Sequence, residues 1–231
     1  MDEATMAGDV IRTRWPERMS EHVNLYLGSG RCGACFDAYG LMSNGARGEK
    51  LTSISRTTLM HADHWHRGAW GLDYWLPVAR LLWRGVPPPA PREYRQELHL
   101  LHGYLLTELH WPGLELTLVA YFHPRRRDLL AVHLTYSTLG RGEMPELLLA
   151  PETGIRTHYD QRLAGSAGTL ELAESGWWLA RVQAGTADSA LALRVLSAEG
   201  AAALKPGAEG VEIRFAGNRG AHLLLIGTAG F

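Results

Sequence analysis

The chain has 231 residues, a length that all-β sandwiches reach as one domain and that can bury a sizeable core. Its 46% apolar and 20% charged residues are those of an ordinary globular protein. With 23 Lys+Arg against 24 Asp+Glu, the net charge of -1 excludes a domain-wide basic surface for nucleic acid and an acidic disordered tail.

The N-terminus, Met1-Asp2-Glu3, lacks the basic start and apolar stretch of a signal peptide. The longest apolar run, Leu223-Leu224-Leu225-Ile226, has the length of a strand and not the roughly 20 residues of a spanning helix. The expected setting is cytoplasmic, with no membrane and no nucleic acid as partner. A short helix is expected over residues 4–14. Next comes Leu27-Gly28-Ser29-Gly30-Arg31-Cys32-Gly33. It has neither the Lys-Ser/Thr of a phosphate loop nor the following helix of a dinucleotide fingerprint, so its glycines read as a tight turn into a strand. That strand, residues 31–37, carries Cys32 and Cys35. The spacing is C-x-x-C, but strand residues three apart face opposite ways and are poorly placed to share a metal. Two cysteines are no disulfide framework, and both read as ordinary thiols.

Residues 61–92 form the longest irregular stretch. It contains a short helix candidate at 78–83 and Pro87-Pro88-Pro89-Ala90-Pro91, which must be extended, polyproline-like chain. The strand pattern is similar on both sides, so the stretch reads as an excursion from one sandwich rather than a linker. Four of the eight tryptophans (Trp65, Trp70, Trp75 and Trp83) fall in it. His61, Asp63, His64, His66, Trp70, Asp73 and Trp75 are the candidate substrate-binding residues. Tryptophan faces match the apolar faces of pyranose rings, while His and Asp hydrogen-bond hydroxyls. A metal site is a second reading, although no H-E-x-x-H or comparable spacing supports it. A third is a loop that only packs on the sandwich or faces an adjoining domain.

Beyond it the pattern is all strand and turn. Residues 114–118 alternate apolar and polar, and the strand-like run 104–110 precedes them across Trp111-Pro112-Gly113, a hairpin connection. Residues 128–136 follow, after the basic turn Arg125-Arg126-Arg127, which reads as a solvated tip. A second hairpin is expected at Ser175-Gly176, and strands at 190–196, 211–215 and 221–226, with a helical turn at 198–204. About a dozen strands with few short helices predict a large antiparallel β-sandwich filling residues 1–231 as one domain. No nucleophile elbow or other hydrolytic arrangement is present, so no catalytic residue, metal or cofactor is assigned.

Three segments resemble a known family. Asn24-Leu25-Tyr26-Leu27-Gly28-Ser29-Gly30-Arg31-Cys32-Gly33-Ala34 is similar to the opening strand pair of the N-terminal domain of six-hairpin (α/α)6-barrel glycoside hydrolases and phosphorylases, families 65 and 95, with Ser29 where those usually have Asn. Tyr94-Arg95-Gln96-Glu97-Leu98-His99-Leu100 and the strand after Gly103 are similar to their Tyr-x-Gln-x-Leu-x-Leu pair. Residues 119–133 are similar to the next pair. The resemblance spans residues 20–136. It implies a β-supersandwich of galactose-mutarotase-like architecture, packed on a helical-barrel catalytic domain that this chain does not contain. Chemistry would then lie in the barrel, with a carboxylic acid as general acid. The chain alone would be a non-catalytic part of a carbohydrate-active enzyme, with carbohydrate and the barrel as partners and room for a homodimer. Two alternatives stay open. One is a free-standing carbohydrate-binding module. The other is an aldose epimerase-like enzyme, which needs a His (His99, His102 or His133) and a carboxylate converging over a sheet face.

Overall fold

The computed structural model describes residues 9–19, 22–29, 32–42, 59–61, 76–140, 143–151, 155–156, 162–163, 165–167, 170–184 and 187–230. The chain enters with β1 (Val10–Thr13), β2 (Leu25–Gly28), β3 (Cys32–Phe36), β4 (Leu59–His61) and β5 (Leu76–Trp83). A meander follows: β6 (Glu93–His99), β7 (Tyr104–Trp111), β8 (Leu114–Phe122) and β9 (Leu129–Thr138). After β10 (Leu147–Pro151) come the short β11 (Ile155–Arg156), β12 (Arg162–Leu163), β13 (Gly165–Ala167) and β14 (Glu171–Leu172). The chain closes with β15 (Trp178–Ala184) and two long strands, β16 (Ala187–Gly207) and β17 (Gly210–Gly230). The protein is all-β. Among the described residues no helix is long and apolar enough to cross a membrane.

The main ladder runs β1-β6-β7-β8-β9-β17-β10-β5-β4-β3-β2, and β15 and β16 extend it from β17. The pairing of β17 turns this ladder into a sandwich. On one edge it is bonded along most of its length to β16. On the other edge its first part, Val211 to Ile213, pairs with β10, while its later part, Arg219 to Gly227, pairs with β9. One strand therefore belongs to two sheets. The bend lies where the β16 register jumps from Glu199↔Ala221 to Ala201↔Ala216, so that residues 217–220 face Gly200 alone on that edge. Such bulges sharpen local twist and let a strand turn a sandwich corner. Tyr136 supports the corner, its hydroxyl donating to the carbonyls of Ala216 and Gly217, both at 3.2 Å.

The core follows from period two. On β7, Leu105, Thr107, Leu109 and Trp111 face inward; across the register stand Ala120, Leu118, Leu116 and Leu114 of β8, then Val132, Leu134 and Tyr136 of β9. β2 packs across β7 and β8 from the opposing sheet, and residues of both sheets join one buried cluster. The expected hairpins at Pro112-Gly113 and Ser175-Gly176 are present, with Gly113 and Gly176 at φ 88 and 77. The proline stretch is held to this body: the Tyr39 hydroxyl donates to Pro88 O at 2.5 Å and the Trp111 indole to Pro89 O at 2.7 Å.

None of the three expected helices is found among the described residues. Within residues 4–14 the described end is strand β1; 78–83 is most of β5; 198–204 lies inside β16. β5 sits between β4 and β10, and Val78, Ala79 and Leu81 are buried. A fully buried strand reads as a continuous apolar run, which periodicity cannot tell from a helix. At 198–204 the alanines favour helix locally, but pairing with β17 wins.

Gly220 illustrates how tight the corner is. A Cβ there would lie 2.2 Å from Tyr136 Cε1 and 2.5 Å from His222 Nε2, both on buried rings. Gly176, by contrast, has a positive φ but nothing within 4 Å. In urea titrations, Gly220→Ala is expected to cost about 2–3 kcal/mol, as overpacking does, and Gly176→Ala about 1 kcal/mol, from the left-handed backbone alone.

Candidate functional site

Of the substrate-binding residues expected from sequence, Asp63, His64, His66, Trp70, Asp73 and Trp75 lie outside the described residues. His61 is the last residue of β4, where its backbone pairs with Leu76 of β5 and with Cys32 of β3. His61 and Leu76 thus form a paired strand end, and Cys32, the other partner of His61, is the first residue of β3.

A cleft of about 390 Å³ opens at that turn. Three connections build it: the end of β2 with Gly28 and Ser29, the β6–β7 turn with His99 and His102, and the β8–β9 turn with His123 and Arg127. Tyr26, Leu98 and Phe122 form apolar parts of its wall.

Backbone bonds fix each turn. Ser29 N–H donates to Cys32 O at 2.9 Å, and the Ser29 hydroxyl reaches the carbonyl of Arg127, tying the first turn to the third. Gly103 N–H donates to His99 O at 2.8 Å, and Leu100 N–H to Asp9 O at 2.8 Å. His123 N–H donates to Leu129 O at 2.9 Å, and Thr228 N–H to Asp128 O at 2.9 Å.

The histidines are oriented as well. His123 Nδ1 accepts from the backbone N–H groups of Arg125 (3.2 Å) and Arg126 (3.1 Å), which leaves the ring proton on Nε2. The His99 ring stacks on Tyr104 with centroids 4.3 Å apart and planes at 15°, and His102 stacks on the same Tyr104 at 6.3 Å. His99 Nε2 lies 3.2 Å from Glu97 Oε2.

Glu97 is only 3% exposed although it points away from the sandwich core, opposite to Gln96. Arg95 donates to its Oε2 at 2.9 Å and Arg12 to its Oε1 at 2.7 Å. The bond from Arg95, with that from Arg12, outweighs burial and holds the carboxyl down to about 2. An ionised carboxylate only accepts, so His99 Nε2 donates to it and Nδ1 is the nitrogen left over. On the inward side, Gln96 Nε2 donates to Asp37 O at 2.7 Å and Thr107 Oγ1 at 3.2 Å, and its Oε1 accepts from Thr13 at 2.9 Å. His22 Nε2, 3.0 Å from the same Oε1, belongs to this network, and burial lowers its pKa. The glutamine of the Tyr-x-Gln-x-Leu pattern is thus a structural joint between β1, β6, β7 and the turn after β3.

The two cysteines lie apart, as a strand requires. Cys32 Sγ is 3.0 Å from Thr228 Oγ1, and Cys35 bonds the hydroxyl of Tyr26; burial pushes the Cys35 thiol up to about 12. Of the histidines named for epimerase chemistry, His99 and His102 meet at the cleft. His133 lies elsewhere on β9, stacked on Tyr121 with its Nε2 3.1 Å from the Tyr121 hydroxyl. The cleft itself was not legible as a site, because no linear spacing links residues 29, 99–103 and 123–127.

No known family model matches the chain, and no curated protein matches it. Among solved structures it is similar in fold to a putative kojibiose phosphorylase from the human microbiome, with a TM-score of 0.53 at 9% identity. The likeness is one of fold. It covers 96% of this chain and 32% of that one.

Because Glu97 titrates far below the ordinary glutamate value of 4.5, folding gains stability from its ionised form that is complete above pH 4.5 and is lost as pH falls toward about 2. In urea titrations across that window the wild-type midpoint is expected to fall more steeply than that of Glu97→Gln. Parallel curves would contradict the assignment.

Proposed function

We propose that this chain is a non-catalytic β-sandwich domain of a carbohydrate-active enzyme of the glycoside hydrolase or phosphorylase type. It packs on a helical-barrel catalytic domain, and the segment around residues 61–75 helps to wall the sugar site. The observation that carries the reading is the pairing of coverages: nearly the whole chain, 96%, aligns with only 32% of a phosphorylase chain. The resemblance of residues 20–136 to the N-terminal domain of such enzymes supports the same reading. A cytoplasmic setting agrees with two cysteines that are buried and free.

One observation weighs against an epimerase-like reading. His99 and Glu97 do converge, but Glu97 is clamped by Arg12 and Arg95 and held at about 2. A carboxylate so stabilised is a weak proton acceptor near neutral pH, where a general base needs a pKa near the working pH. A carbohydrate-binding module remains the second reading, favoured by the tryptophan density of residues 65–83.

The test is kinetic. In the enzyme that carries this domain, Trp70→Ala and Asp73→Ala are expected to raise KM or lower kcat for the disaccharide. The expected size is roughly 10-fold, as for loss of one good substrate contact. Unchanged kinetics in both variants would refute a role for this segment at the sugar site.

A further inference from the structure

We infer that the cleft between the β2 end and the β6–β7 and β8–β9 turns binds a small oxyanion, specifically a phosphate group, free or as a monoester. The chemistry of its wall carries the inference. Arg127, His102 and His123 line it together with His99, and no Asp, Glu, Asn or Gln is among the described lining residues. A neutral sugar presents as many hydroxyl donors as acceptors and is met by carboxylates and side-chain amides; a wall of donors with few acceptors selects an anion. Glu97, the carboxylate bonded to His99, is already neutralised by two guanidinium groups.

The donors are also free to serve a ligand. Among the described residues Arg127 has no ion-pair partner, and His102 has only the ring of Tyr104. The backbone bonds to Arg125 and Arg126 fix the His123 proton on Nε2 as a donor, whereas His99 gives its Nε2 proton to Glu97 and keeps Nδ1 as an acceptor, so His99 is wall and not a donor to the ligand. Among the described residues no three His, Cys, Asp or Glu side chains group as metal ligands. Three donors on two turns, His102 on β6–β7 and His123 and Arg127 on β8–β9, suit a group with several oxygens better than a planar carboxylate gripped by one fork. The turns are held by main-chain bonds before any ligand arrives, so little ordering cost is left for binding.

This inference does not rest on the carbohydrate-enzyme reading, and either can fail alone. The test uses the whole 231-residue chain, with inorganic phosphate, glucose 1-phosphate and glucose as separate probes followed by calorimetry and by the histidine ring signals in NMR. Saturable binding of phosphate or of glucose 1-phosphate is expected. Arg127→Gln and His102→Gln should each weaken it by on the order of 10-fold, the size of one charge-assisted contact, while Lys205→Gln on exposed β16 leaves it unchanged. Tighter binding of glucose 1-phosphate would place a monoester in the cleft; equal binding would place free phosphate there. Among the described residues His102 makes no hydrogen bond, so its variant keeps the test decisive if Arg127→Gln is unstable. The inference is overturned if neither phosphate probe saturates, if glucose alone binds, or if the two cleft variants bind like wild type.

Discussion

The shared strand β17 is the constraint on which the rest of the structure depends. Its first part closes one sheet through β10 and its later part closes the other through β9, with β16 running alongside both. Neither sheet can slip in register without moving the other, because a slip by one residue would turn Leu224 and Ile226 out of the core. The corner between the two parts is therefore crowded, with Gly220 against Tyr136 and His222. Buried His222, its pKa lowered by burial, is bonded to Ser197 at 2.8 Å. This strand comes last in the chain, so closure of the sandwich depends on pairings of long sequence separation, the kind that folds slowly.

The same strand reaches the cleft. Thr228 N–H holds the carbonyl of Asp128, one residue from Arg127, and the Thr228 hydroxyl meets Cys32 beside the Ser29 turn. Two of the three turns that make the cleft are thus braced by the end of β17, and the third is braced by β1 through Leu100 and Asp9. The cleft is a product of sheet closure and not of any local motif. Its electrostatics follow from one arrangement: Glu97, buried on the outer face of β6, draws in Arg12, Arg95 and His99. That clamp removes Glu97 as a base and orients the His99 ring for contacts on its other nitrogen.

Much of the fold was legible in the sequence. Leu114 to Leu118 alternates cleanly because β8 has one face in the core, and the Pro112-Gly113 and Ser175-Gly176 turns announce their hairpins through residues that tolerate those dihedrals. Legibility failed where tertiary pairing overrode local signal, as in β5, buried on both sides, and in the alanine-rich middle of β16. It failed at the site for a different reason. The Trp-, His- and Asp-rich segment drew attention by density, yet most of it lies outside the described residues, and Arg127, exposed with Arg125 and Arg126 as the solvated-tip reading expects, carries no linear sign of a cleft. Only the hydroxyl of Ser29 on the Arg127 carbonyl shows that this turn belongs to a built cleft. Gln96 and Glu97, adjacent in sequence, sort into a core joint and an outer clamp by period two alone.

The proposed role of the sandwich is to support chemistry performed in another domain. The most direct measurement gives the purified chain kojibiose with and without phosphate, and an anomerically pure aldose, and follows glucose, glucose 1-phosphate and optical rotation. No turnover above the uncatalysed rate is expected in any of the three assays. Phosphorolysis, hydrolysis or accelerated mutarotation by the chain alone, lost when Glu97 or His99 is replaced, would contradict the account and place the catalytic centre in this domain.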